Sequence, residues 1–217
     1  ITRQMPFGRL FAPAVFYPVC DERLEAADSG GGLGDVDGDG DLDLVAPYQT
    51  LVFGGTRSWL VAPNQGDGSF GRAVYKHARY ASHAVVAEVD GDGRADVVCT
   101  DGSGHDVAYV RRDPEAGWVV QQRFPNRHFW GLDDADGDGR KDLWLVEYPG
   151  QNTLWLLRNE GAAGFGAPRA VGTDLMAEGY HPAYVVPGAG PHGEVGMSWW
   201  RSADGRALLA LLLGGEF

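Results

Sequence analysis

Three short stretches hold the densest chemistry in this sequence. They read Asp35-Val-Asp-Gly-Asp-Gly-Asp-Leu-Asp43, Glu88-Val-Asp-Gly-Asp-Gly-Arg-Ala-Asp96 and Asp134-Ala-Asp-Gly-Asp-Gly-Arg-Lys-Asp142. Acids recur at positions 1, 3, 5 and 9 of each: Asp35, Asp37, Asp39 and Asp43; Glu88, Asp90, Asp92 and Asp96; Asp134, Asp136, Asp138 and Asp142. A calcium ion takes six to eight hard oxygens in flexible geometry, and four carboxylates supply most of that set. Position 7 would lend its backbone carbonyl, which leaves its side chain free to vary; Asp41, Arg94 and Arg140 stand there. Glycines at positions 4 and 6 let the backbone wrap an ion. Without a cation, so many carboxylates in one turn repel one another at neutral pH. The expectation is three Ca²⁺ sites. The plain alternative is three solvated acidic turns, which three in-phase copies disfavour.

The spacing of acids overlaps the first half of an EF-hand loop, but an EF-hand needs a bidentate Glu at position 12. Here position 12 is Ala46, Cys99 and Leu145. The flanks are apolar and β-branched, so strands rather than helices must present these loops. Loop starts are separated by 53 and 46 residues, a period that signals one supersecondary unit per repeat with neighbours stacked on a common core. A second motif recurs with them: Leu60 to Val74 reads LVAPNQGDGSFGRAV and Leu157 to Val171 reads LRNEGAAGFGAPRAV, with Val110 to Val120 a worn copy. Each unit then offers four strands, shown by Ala84 to Val89, Ala95 to Thr100, Val107 to Arg111 and Trp118 to Phe124.

Four short antiparallel strands per unit describe a propeller blade. The expected fold is therefore all-β: a β-propeller of four-stranded antiparallel blades at about 29–80, 81–127, 128–178 and 179–217 together with 1–20. The fourth unit, from His181, keeps the rhythm but replaces the acids with Gly-Ala-Gly-Pro-His-Gly, and its third strand is expected at Ala207 to Leu213. Phe7-Gly-Arg matches Phe70-Gly-Arg, so Phe7 to Tyr17 is expected to complete the blade left unfinished at Phe217 and close a four-bladed ring. Two chains forming one eight-bladed ring is the alternative.

These motifs resemble the FG-GAP/VCBS repeat family over nearly the whole chain: DVDGDGDLDLV, EVDGDGRADVV and DADGDGRKDLW, with NQGDGSFGRA and NEGAAGFGAP as the accompanying turns. The resemblance implies an integrin-α-like β-propeller, usually of seven blades, in which calcium is structural. Four units and an acid-free fourth depart from that pattern. Sites of this kind fill at roughly 10⁻⁴ to 10⁻³ M calcium, which suits a secreted or cell-surface setting. The resemblance also implies a ligand face opposite the loops. Counting along the strands places His83, His128 and His181 toward that face, with Tyr48, Asp101, Glu147 and Trp199-Trp200-Arg201 after the second strands.

Histidines with acids can do acid–base work or bind a metal, and the bland reading is a polar channel mouth. Nucleophile, zinc-protease and phosphate-loop motifs do not occur. The first expectation is a non-catalytic binding or adhesion module for a glycan or protein. A lyase- or isomerase-type enzyme using the histidines is the second, and an assembly element of a larger structure, homodimeric or beyond, the third. Trp144 and Trp155 alternate with apolar residues and are expected in the core, whereas Trp199 or Trp200 would be exposed beside Arg201.

Composition bounds these readings. The 217 residues carry a formal charge of −12, which argues against a nucleic-acid backbone as partner. Thirteen of the 30 acids lie in the three loops, however, and three calcium ions would halve the net charge. No apolar run approaches the 18 or so residues of a membrane span. The chain starts at Ile1 without a leader pattern, so an upstream segment is expected. Cys20 and Cys99 would either pair, which an extracellular setting permits, or remain buried thiols.

Overall fold

The structure is a computed structural model and describes residues 24–26, 31–50, 57–76, 80–101, 105–147, 150, 153–173, 180–186, 196–201 and 206–211. It is all-β, and every strand pairing is antiparallel. Among the described residues no helix is long and apolar enough to cross a membrane. The segment Phe7 to Tyr17, Cys20 and the C-terminal Phe217 lie outside the described residues, as does any closure they make.

The strands form four meandering sheets in chain order. In the first, β1 (Leu24–Ala26) and β2 (Gly32–Gly34) lie end to end along β3 (Asp43–Thr50), followed by β4 (Arg57–Ala62) and β5 (Val74–Lys76). The second runs β6 (Tyr80–Ala87), β7 (Asp96–Asp101), β8 (Asp106–Asp113), β9 (Gly117–Pro125). The third runs β10 (Arg127–Asp133), β11 (Asp142–Glu147), β12 (Thr153–Leu157), β13 (Arg169–Thr173). The fourth contains β14 (Tyr180–Val186), β15 (Gly196–Arg201) and β16 (Arg206–Leu211). The strand expected at Ala84 to Val89 begins earlier and stops at Ala87, because Glu88 and Val89 already belong to the turn.

Period-two side-chain alternation explains how the sheets stack. Val97, Cys99, Ala108 and Val110 of the second sheet pack against Val45, Trp59 and Val61 of the first. Their chain neighbours Val98, Val107 and Tyr109 point the other way, onto Leu143, Leu145, Leu157 and Phe165 from the third sheet's side. A sheet covered on both faces needs near-continuous apolar strands, and β7 and β8 supply them. Trp59 meets Trp118 edge-on, with ring centroids 4.4 Å apart. Gly34 has no room for a side chain: a Cβ there would lie 2.5 Å from Val86 Cγ1 and 2.7 Å from Ala95 Cβ, so the close approach of the first two sheets requires glycine. In the third sheet, Trp144 and Val146 are buried on the face away from Leu143 and Leu145. β10 also contacts β14 of the fourth sheet.

The first sheet's other face is covered too. Tyr48, Leu60, Ala62 and Ala73 form a buried cluster there, flanked by Leu44, Ala46 and Phe70. Cys99 is a free, buried thiol, and burial pushes its pKa up to about 12.

Candidate metal centre

Each acidic stretch is the turn between the first and second strands of a sheet: loop 1 joins β2 to β3, loop 2 joins β6 to β7, and loop 3 joins β10 to β11. The backbone takes the path the glycines allow. Gly38 and Gly40, Gly91 and Gly93, and Gly137 and Gly139 all have φ between 82° and 95°, where a side chain is strained.

The carboxylates fold these turns by accepting backbone N–H groups. At position 1, Asp35 accepts from Gly38 (2.7 Å), Asp39 (3.2 Å) and Gly40 (2.9 Å). Asp134 accepts from Gly137 (2.7 Å), Asp138 (3.1 Å) and Gly139 (2.8 Å) in the same pattern. Glu88 holds Gly91 likewise. Position 3 accepts from position 5, and position 5 from position 7, in every loop. These short-range bonds aim the carboxylate oxygens inward.

Position 9 ties loops 1 and 3 to the turn after the third strand and loop 2 to the end of the third strand itself, where Arg112 lies within β8. Asp43, Asp96 and Asp142 are almost fully buried. Each accepts one backbone N–H at 2.8 Å, from Asn64, Arg112 and Asn159 respectively. The second oxygen accepts Val36 N–H at 3.0 Å in loop 1 and Ala135 N–H at 3.0 Å in loop 3. In loop 2 the Tyr109 hydroxyl donates to it instead, also at 3.0 Å. The turns so anchored are alike: Asn64 bridges Phe70 and Asn159 bridges Phe165. Loops are also stitched to neighbouring sheets. Ala95 N–H donates to Asp35 O (2.6 Å), and Asn159 Nδ2 donates to Val89 O (2.9 Å).

Crowding shows in the protonation of these acids. Lost hydration, then the Asp43 and Asp39 carboxylates, hold Asp37 above the ordinary carboxylate range. Burial pushes Asp96 up to about 6 against the lowering effect of its bonds from Arg112 and Tyr109. Burial likewise raises Asp142. A divalent cation would favour the charged forms.

The donor set fits calcium. Asp35, Asp37 and Asp39 present oxygens within 4.8 Å of one another, as do Glu88, Asp90 and Asp92, and Asp134, Asp136 and Asp142. Oxygens bound to one Ca²⁺ at 2.3–2.6 Å can lie no more than about 5 Å apart, so these spacings suit a single hard cation. At position 7 the carbonyls of Asp41, Arg94 and Arg140 remain the expected further donors. The Arg140 side chain pairs with Asp138, which stands outside the loop 3 group, and donates to Asn159 O (3.0 Å).

Sequence reasoning missed Asn64, Arg112 and Asn159, although the Asn shared by the NQGDGSFG and NEGAAGFG motifs was a usable signal. It also missed Arg111 and Arg158, which lie 3.7 Å from Asp90 and 3.3 Å from Asp136.

The opposite edge holds the other candidates. Register sets Asp101 across from Tyr80, Glu147 across from Arg127, and Arg201 across from Tyr180, all at sheet ends away from the loops. His128 pairs with Val146 and His181 with Trp200 at matching places in β10 and β14. Both precede a register irregularity, and His83 falls within one in β6. The side chains of His83, Asp101, His181, Trp199, Trp200 and Arg201 lie outside the described residues. His128 and Glu147 are half-buried, and Arg127 stacks over Trp155 at 5.0 Å. Tyr48 is buried, 3% exposed, in the apolar cluster of the first sheet. Comparison with protein-family models and with curated proteins finds no match for the chain.

Proposed function

We propose that this chain is a calcium-stabilised β-propeller of the FG-GAP/VCBS type that works as an extracellular binding or adhesion module. The observation that carries the reading is the recurrence of one loop geometry at the same end of three sheets. Each copy brings three acids within 4.8 Å of one another, positions 1, 3 and 5 in loops 1 and 2 and positions 1, 3 and 9 in loop 3, and fixes its ninth residue to the sheet behind it. Three ions of this kind would hold three hairpins and leave the opposite edge free to differ from sheet to sheet. That edge is the ligand face in this reading, and its mixture of His, Glu, Asp, Arg and aromatic residues suits a glycan or a polar protein surface.

Radial stacking has its own support. The first three sheets follow one another face to face in chain order, and β10 of the third contacts β14 of the fourth. The outer face of the first sheet is covered as well, since Tyr48, Leu60 and Ala62 are buried there. A closed ring of four blades accounts for that cover.

Two measurements test the reading. Thermal unfolding in EDTA and in millimolar CaCl₂ tests the metal: equal melting temperatures would end the calcium assignment, since an ion that binds only the folded state must stabilise it. Glycan-array binding of the intact chain in calcium tests the ligand class. Expected is binding that Glu147→Ala weakens without changing the melting temperature, and an array with no signal would remove the glycan and leave a protein partner.

A further inference from the structure

The three loops share a backbone and differ in the cations beside them. Their shared anchor fixes which residues are equivalent. Asn64, Arg112 and Asn159 each donate a backbone N–H at 2.8 Å to the ninth-position acid. The residue before each is therefore equivalent, and it is Pro63 for loop 1, Arg111 for loop 2 and Arg158 for loop 3.

Both arginines reach the third-position acid of their own loop. Arg111 Nη1 lies 3.7 Å from Asp90 Oδ2 while its Nη2 donates to Asp113 Oδ2 at 2.7 Å, and Arg158 Nε lies 3.3 Å from Asp136 Oδ2. An exposed ion pair contributes little to stability, but Asp90 is buried, and Asp136, although exposed as a residue, keeps most of its side chain covered. The Asp90 side chain is 3% accessible and that of Asp136 16%. A carboxylate as far out of water as that of Asp90 needs a counter-charge. Loop 3 gains a second guanidinium, since Arg140 pairs with Asp138. Loop 1 has neither. Pro63 is neutral, Asp41 adds a fifth carboxylate, and among the described residues no ion pair reaches Asp35, Asp37, Asp39, Asp41 or Asp43. Arg94 crosses from loop 2 to lie against the Gly38 backbone, within 3.2 Å of where a Cβ would sit, but it pairs with no acid there.

Calcium affinity in oxygen sites follows the charge of the ligand set and the rigidity of the loop. Here the backbone is nearly constant and the charge is not. We propose that Arg111 and Arg158 are resident counter-ions that grade the three sites, loop 1 binding calcium most tightly and loop 3 least, and that they hold loops 2 and 3 together when calcium is scarce. This rests on the calcium reading above, and it adds that the sites are unequal and why.

Calorimetric titration of the whole chain with CaCl₂, paired with thermal unfolding in EDTA, decides it. Expected is binding that resolves into unequal sites. Arg158→Gln should tighten the weakest site by about fivefold or more, the effect of removing one unit charge at about 4 Å even under the screening of water. The same change should lower the melting temperature in EDTA. Arg111→Gln should act likewise on the middle site, and Arg111→Lys, which keeps the charge, should restore it. Pro63→Arg should weaken the tightest site, with Pro63→Gln as the uncharged control for the altered backbone.

The grading is overturned if calcium binds but Arg158→Gln and Arg111→Gln leave every affinity within about twofold, or loosen it. Absence of any calcium heat in the wild-type chain would instead sink the calcium reading. The counter-ion role is still tested then, because an unchanged melting temperature of Arg158→Gln in EDTA refutes it. Arg158 is half-exposed, so its variant tests the idea even where Arg111→Gln fails to fold.

Discussion

The two edges of these sheets are organised in opposite ways. At the loop edge, the same bonds recur: position 1 gathers glycine N–H groups, and position 9 takes one N–H at 2.8 Å in all three loops, from the end of the third strand or the turn after it. At the far edge the register recurs but the residues do not, with Tyr80 facing Asp101, Arg127 facing Glu147 and Tyr180 facing Arg201. Constant chemistry on constant geometry is what a scaffold needs. Varied chemistry on constant geometry is what recognition needs, because specificity is a difference of contacts mounted on a rigid frame.

Chelation is the largest expected way to break this contrast. Each ion at a hundred times its Kd contributes about 2.7 kcal/mol, so removing three should lower the melting temperature by roughly 15 °C or more. A scan in EDTA against excess calcium reads this, and a shift of a degree or two would make the loop edge ordinary.

Next comes the ninth-position acid. Asp142→Ala removes acceptors from Ala135 and Asn159 and orphans N–H groups in a buried setting. It should cost about 2–4 kcal/mol in chemical denaturation. Asp41→Ala, at the position expected to lend only its carbonyl, should cost less than about 0.5 kcal/mol. Similar losses for the two would undo the ligand scheme.

The metal-free chain should also respond to pH with a definite sign. Asp37, Asp96 and Asp142 titrate above the ordinary carboxylate range in the fold, Asp96 at about 6. Groups raised in this way hold protons that the unfolded chain releases. Their stability contribution is complete below the unfolded value of roughly 4 and is lost as pH rises through each group's folded value, about 6 for Asp96. In EDTA, therefore, the melting temperature should rise between pH 7 and pH 5. With calcium bound the trend should reverse, since protons displace the ion. A flat profile in EDTA would mean the carboxylates are better hydrated than their burial indicates.

The smallest expected effect is at the far edge. Glu147→Ala should change stability by less than about 1 kcal/mol while weakening ligand binding. A large loss of stability there would make this edge structural as well and erase the comparison.

Much of the loop edge was legible in the sequence because its determinants are local. Acids at fixed offsets bond to N–H groups two to five residues on, and glycines at positions 4 and 6 supply the positive φ. The four strands of the second and third sheets could be read in the same way, from apolar runs between turn signals. Trp144 was placed in the core by its apolar neighbours, and it is fully buried. Tyr48 shows the limit of such counting: expected after the second strand, it lies within β3, and its spacing gave no hint of the cover over that face.

What the sequence alone determined was the set of local turns and the all-β alternation, since both depend on neighbours within a few residues and on the period of the strand. Tertiary structure alone decided which guanidinium stands beside which acid, that Asn159 reaches back 70 residues to Val89, and that Gly34 must yield to Val86 and Ala95. Those contacts depend on how one sheet lies against the next. Spacing along a chain does not encode that, because it is settled by the mutual fit of faces brought together only on folding.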